Sequence, residues 1–147
     1  MEIEEIKKDK KIYIKLLLLA DEQEDMIDRY LDRGTMFVLE DQGVKAECVV
    51  TVEGNGVLEI KNIATEPDFQ GRGYAKALIE FVAEEFRGRY SLLQVGTGDS
   101  PLTIPFYEKC GFQRSHVVKD FFVEHYDHPI YEAGVQLVDM IYLQRKM

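Results

Sequence analysis

The chain has no tryptophan, only 4 prolines, and 2 cysteines in 147 residues. Two cysteines, Cys48 and Cys110, cannot build a disulfide framework, and reduced buried thiols are the expected state. Neither lies in a motif that pairs a thiol with histidine. The 3 histidines, His116, His125 and His128, lack the spacing of a zinc site, so no metal is expected. No apolar run reaches the roughly 18 residues of a membrane span; Leu16 to Ala20 is far too short. No basic-then-apolar leader pattern opens the chain, so a cytoplasmic location and no membrane partner are the expectation. Cations are also scarce. Lys and Arg number 18 against 27 Asp and Glu, giving a net charge of −9 and a pI near 4.8. That balance argues against nucleic acid as a partner and suits a cationic small substrate.

What is present is ordinary globular material. A hydrophobic content of 46% over this length predicts one domain, residues 1–147, with a real core. Residues 1–11 are polar and read as a weakly structured segment or an edge extension. Ile12 to Leu19 reads as a strand. Asp21 with Glu24 resembles a capping box opening a helix over Glu22 to Leu31. Thr35 to Glu40, Val44 to Glu53 and Val57 to Ala64 read as strands joined by glycine-containing turns. Ala75, Leu78, Ile79, Val82 and Phe86 fall on one face of a helix over Arg72 to Phe86. Ser91 to Gly96 reads as a strand. A short helix then ends at Cys110, capped by Asp99 or Ser100 or starting anew at Ile104 or Pro105. Phe112 to Glu124 and Val135 to Leu143 read as two late strands. This alternation predicts an α/β fold with a mixed sheet.

The most informative stretch is Gln70-Gly71-Arg72-Gly73-Tyr74-Ala75, between a strand and a helix. Two glycines there let the backbone bend around a ligand, and the free N–H groups of the helix start point at it. The dipole adds positive potential, so the arrangement suits phosphate. A dinucleotide fingerprint would need a glycine where Lys76 stands. A Walker A loop would need Gly-Lys, a pair found nowhere in the chain. The Q/R-x-x-G-x-G/A pattern fits, with Gln70, Gly73 and Ala75 at its fixed positions. A second segment, Phe106-Tyr107-Glu108-Lys109-Cys110-Gly111-Phe112, follows about 30 residues later. By itself it reads as a helix end, with Gly111 at the left-handed C′ position and Phe112 packing back.

Together the two motifs resemble the GNAT N-acetyltransferase superfamily. The resemblance runs from about residue 12 to the C-terminus. It implies a central, mostly antiparallel sheet with splayed central strands, flanked by helices, and acetyl-CoA as co-substrate. The residues Asp120-Phe121-Phe122, His125-Tyr126, Gly134-Val135-Gln136 and Asp139-Met140 resemble a small bacterial-type subgroup of unassigned substrate. A homodimer through the late strands would be in keeping with the superfamily.

The resemblance also implies a chemistry. Acetyl would pass directly from coenzyme A to an amine, with no acyl-enzyme. The N–H groups of Gly71, Arg72, Gly73, Tyr74, Ala75 and Lys76 would clasp the pyrophosphate beside Gln70. The pantetheine arm would pair with backbone near Ile63, Ala64 and Thr65, where an N–H also stabilises an oxyanion. Ser100 stands where the superfamily often has an asparagine that contacts coenzyme A. Tyr107 would protonate the leaving thiolate. Glu59, eleven residues before Gln70, is placed as the general base. Such a base is needed because an alkylammonium of pKa near 10 is only about 0.1% free amine at pH 7. Phe121, His125, Tyr126, Tyr131 and Glu132 would bind the acceptor through aromatic faces and charge. A small cationic amine is the expected acceptor. The alternatives are a protein N-terminus or lysine, or a non-catalytic acyl-CoA sensor.

Overall fold

The computed structural model describes residues 1–147. Seven strands form one sheet in the order β1-β2-β3-β4-β5-β9-β6. They are β1 (Glu2–Ile6), β2 (Thr35–Glu40), β3 (Val44–Gly54), β4 (Val57–Thr65), β5 (Leu92–Gly98), β6 (Gln113–Val118) and β9 (Met140–Lys146). Only β4 and β5 pair in parallel; every other neighbour is antiparallel. β7 (Ile130–Glu132) and β8 (Val135–Leu137) form a separate hairpin. The helices are α1 (Ile14–Ala20), α2 (Glu24–Asp28), α3 (Tyr74–Glu85), α4 (Ile104–Lys109) and α5 (Phe121–His125). The polar N-terminus is an edge strand, β1.

Helices cover both faces of the sheet. On one face Leu78, Ile79 and Val82 of α3 and Tyr107 of α4 pack on Phe37, Cys48, Val50, Leu58 and Ile60. On the other, Leu17 of α1, Ile27 of α2, Tyr30 and Leu31 pack on Met36, Val38 and Val49. Alternation along the central strands supplies both apolar faces, as a sheet covered on two sides requires.

Four expectations differ. Ile12 to Leu19 is a 3-10 turn over Lys10–Tyr13 followed by α1. A short apolar run cannot distinguish a strand from a buried helix, and its four consecutive leucines favour the helix. Leu16 and Leu17 are buried there, whereas Ile12 and Leu19 are exposed. Asp21 does not cap α2: Gln23 holds that position, and Asp21 is used elsewhere. Phe112 to Glu124 is not one strand. β6 stops at Val118, Asp120 takes a left-handed φ of 58°, and α5 begins. Val135 to Leu143 likewise divides into β8 and β9.

Candidate active site

β4 and β5 pair only from Val57 to Ile60 against Leu92 to Val95. Beyond this point β4 keeps its partner β3 and β5 keeps β9, but the two strands part. Residues 61–65 of β4 therefore present a strand edge with no ladder on that side. A β-bulge marks the change: Val50 faces Ile60 but Val49 faces Asn62, so Lys61 is the extra residue. Glu59 lies opposite Thr51 and Asn62 opposite Val49. The bulge thus turns Glu59 and Asn62 to the same face, that of α1 and α2.

A cleft of about 820 Å³ runs through this gap. Its walls include Ile63, Ala64 and Thr65 of β4, the loop residues Phe69 to Gly71 and Gly73 to Lys76, and Phe106 and Tyr107 of α4. From the opposite face come Asp21, Tyr30, Glu59 and Asn62; Phe121, Tyr126, Tyr131 and Glu132 close the far end.

The loop that opens α3 has a phosphate-binding shape. Gly71 and Gly73 have φ of 79° and 85°, the left-handed region where a side chain is strained. The first helical bond is donated by Ala77 to Gly73, leaving the N–H groups of Tyr74, Ala75 and Lys76 free. A Cβ at either glycine would meet open space, so the requirement lies in the backbone conformation. Tyr74 is tied down by its hydroxyl, which donates to Asp41 at 2.7 Å. Gln70 braces the loop base by donating to the Thr65 carbonyl at 3.3 Å. Arg72 lies 5.0 Å and Lys45 4.3 Å over the Phe69 ring, bringing cations to the loop. Nothing local in the sequence marks Lys45, which arrives from β3.

Tyr107 is 7% exposed, with its ring against Phe106 and Phe112 at 5.2 and 5.8 Å. Its hydroxyl borders the cleft and has no hydrogen-bond partner in the protein. Burial pushes the phenol well above its ordinary pKa, so it stays protonated at neutral pH. Glu59 is also buried, with both oxygens engaged: one accepts from Gln94 at 2.6 Å and the other pairs with Lys61 at 2.8 Å.

Ser100 is buried outside the cleft wall, where its hydroxyl accepts from the Leu102 N–H at 3.1 Å. Arg72 and His125 also lie off the wall. His125 stacks on Phe121 at 4.3 Å and Nδ1 bonds the Phe121 carbonyl at 2.9 Å. Because α5 is a helix, Phe121 and Phe122 leave adjacent sides of it, and both line the cleft. Asp21 was not expected here. It accepts hydroxyls from Tyr30 at 3.0 Å and Tyr126 at 2.7 Å.

Glu47 sits beside this region on β3, fully buried, with neither oxygen hydrogen-bonded. Asn62 Oδ1 is a third buried acceptor without a donor. Desolvation pushes the Glu47 carboxyl well above the ordinary range, so it is protonated in the fold. In the unfolded chain it ionises near about pH 4.3. The native state then holds the extra proton, and stability falls as pH rises above that point. The Glu47→Gln variant supplies amide donors and removes the dependence. Its Tm at pH 8 is expected to rise by about 5 °C, roughly 2 kcal/mol for a chain of this size. Thermal unfolding at pH 8 and pH 4 checks this; the gain should shrink at the lower pH.

The fold and cleft define an acyl-transfer scaffold, and comparison with known proteins agrees. The acetyltransferase (GNAT) domain family profile matches residues 32–114. The chain is 35% identical over 131 residues to the uncharacterized N-acetyltransferase YvbK of Bacillus subtilis, covering 87% of this chain and 84% of that one. The IAA acetyltransferase of Bacillus cereus superposes with a TM-score of 0.93 at 37% identity, covering 99% of each chain. A GNAT family acetyltransferase of Elizabethkingia anophelis, solved with acetyl-CoA bound, also scores 0.93 at 32% identity, over 99% of this chain and 97% of that one. The chain belongs to the GNAT family of N-acetyltransferases, enzymes whose acetyl donor is acetyl-CoA.

Proposed function

We propose that residues 1–147 form one catalytic unit that acetylates the primary amine of a small cationic molecule. The observation that carries the acceptor class is the far end of the cleft. Aromatic side chains of Phe121, Tyr126 and Tyr131 stand there with the carboxylates of Asp21 and Glu132. Aromatic faces and carboxylates are what a desolvated ammonium needs. The overall charge of −9 favours its approach.

The residues present fit acetyl-CoA. The free N–H groups of Tyr74, Ala75 and Lys76 suit its pyrophosphate, and the left-handed Gly71 and Gly73 keep the approach open. The unladdered edge at Ile63, Ala64 and Thr65 offers backbone groups to its amide-bearing arm. When bound, it supplies the acetyl group as a thioester. Tyr107 holds a proton at Oη beside the cleft, available to a departing sulfur. Glu59, kept in place by Gln94 and Lys61, takes a proton from the amine, through water where contact is not direct.

The test follows free-thiol release from acetyl-CoA with tyramine, phenylethylamine, cadaverine and spermidine. A peptide with a free N-terminus and a lysine peptide serve as alternatives. Turnover with the small amines at a kcat/KM at least about tenfold above the peptides, about 1.4 kcal/mol, is the expected result. Preference for a peptide would move the acceptor to a protein. Acetyl-CoA binding with no turnover on any acceptor would favour a sensor.

A further inference from the structure

We infer that Asp21 is the residue that selects a cationic acceptor, by binding the ammonium group beside the ring of Tyr126. This rests on the small-amine reading above and assigns its specificity to one side chain. Asp21 lines the cleft and forms no ion pair with any Lys, Arg or His. The neighbouring carboxylates are spent differently: Glu59 pairs with Lys61 at 2.8 Å, and Glu22 meets His128 at 2.8 Å. Glu132 is unpaired too, but no side-chain hydrogen bond holds it and it rides on the short β7 hairpin.

Asp21, in contrast, is positioned from two walls. Tyr30 donates to one oxygen at 3.0 Å and Tyr126 to the other at 2.7 Å. Tyr30 in turn accepts from Asn62 Nδ2 at 3.1 Å, and the same nitrogen donates to the Leu17 carbonyl at 3.0 Å. This chain of bonds roots the carboxylate in β4 beside the gap. Phenol and backbone N–H donors, the latter from Gln23, leave the charge on Asp21 unneutralised, and the carboxylate keeps lone-pair capacity for a further partner. The Tyr126 ring stacks on Phe122 at 5.6 Å, and both line the cleft. A half-buried, unpaired carboxylate costs free energy in the empty protein, a cost that a cationic ligand offsets. Burial already pushes the Asp21 carboxyl above its ordinary range, in line with that penalty. The role is specificity and positioning, and no covalent step passes through Asp21.

Phenyltrimethylammonium is a suitable probe because it carries a cation and a ring but no nitrogen that can be acetylated. Its binding tests Asp21 without turnover, so this assignment can fail while acetyl transfer stands, and the converse. Calorimetry on the full chain with coenzyme A present is expected to show binding to the wild type. It should weaken at least tenfold in Asp21→Asn, with acetyl-CoA affinity and Tm held. Tyr126→Phe, which keeps the ring and removes one donor, should weaken it less. For an amine that is turned over, Asp21→Asn should raise KM at least tenfold and leave kcat within threefold. Equal binding by Asp21→Asn, or no binding by the wild type, would overturn the assignment. So would tighter binding of phenylacetate, which would give selectivity to Arg29 on the same wall. If Asp21→Asn alone loses its fold, Tyr126→Phe decides: unchanged probe affinity overturns the proposal.

Discussion

Replacing Gly73 by glutamate is expected to weaken acetyl-CoA binding by at least about 100-fold, or 2.7 kcal/mol, in calorimetry. Two effects act in the same direction. Gly73 has φ of 85°, where a side chain costs roughly 1–2 kcal/mol of local strain. The new carboxylate also stands at the start of α3, beside the N–H groups of Tyr74, Ala75 and Lys76. It competes for the same positive potential as the pyrophosphate and repels it. Nothing lies within 4 Å of the new Cβ, so a steric clash does not confuse the result and the core of α3 stays packed. Gly73→Ala separates the two effects: it carries the strain without the charge and should lose only about tenfold, 1.4 kcal/mol. Wild-type affinity in Gly73→Glu would mean that the pyrophosphate is held elsewhere.

Elements set by local chemistry were the legible ones. The loop and α3 could be read because two glycines, a strand before them and a 3.6-residue apolar period after them all agree. β2, β3 and β4 followed from alternation and from glycine turns, with boundaries within a residue of expectation. Gly111, with φ of 91°, ends α4 as its position beside Cys110 and Phe112 implied. Elements decided by tertiary packing were not legible. Ile12 to Leu19 offers no period that separates strand from helix. Its fate is set by Leu16 and Leu17 finding a sheet face already made by Met36, Val38 and Val49.

The site shows the same division. The loop at the start of α3 is read from contiguous motifs, whereas the far end of the cleft is assembled from distant segments. Asp21, followed by Glu24, matches a local capping pattern, and in an isolated helix that reading would hold. The fold overrides it by bringing Tyr30 and Tyr126 to the two oxygens, the second from 105 residues away. Glu59 was legible as a carboxylate at a telling spacing, but its ties to Gln94 and Lys61 depend on strand order and on the bulge at Lys61. Ser100 was placed by position in a motif; in the fold its hydroxyl accepts from the Leu102 N–H in the turn before α4, outside the cleft wall.

Tyr107→Phe is expected to lower kcat by about 100-fold while leaving acetyl-CoA affinity within threefold, the size of effect typical of a lost general acid. The substitution removes one oxygen and keeps the ring that packs on Phe106 and Phe112. Since the hydroxyl has no partner in the protein, no internal hydrogen bond is broken and Tm should not fall. A buried phenol is a weaker acid than one in water, which at first argues against its donating a proton. The same desolvation raises the proton affinity of a thiolate leaving in the same cleft, and the transfer depends on the difference between the two. Burial also fixes the sign of the pH dependence. With the phenol pKa raised, the protonated form needed for donation persists through neutral and mildly alkaline pH. Any loss of rate assigned to Tyr107 therefore belongs above the ordinary phenol range, near pH 10. Stopped-flow thiol release at saturating acetyl-CoA measures kcat for both proteins with the best amine of the panel. A kcat for Tyr107→Phe within threefold of wild type would remove Tyr107 from the proton path and leave solvent to protonate the sulfur.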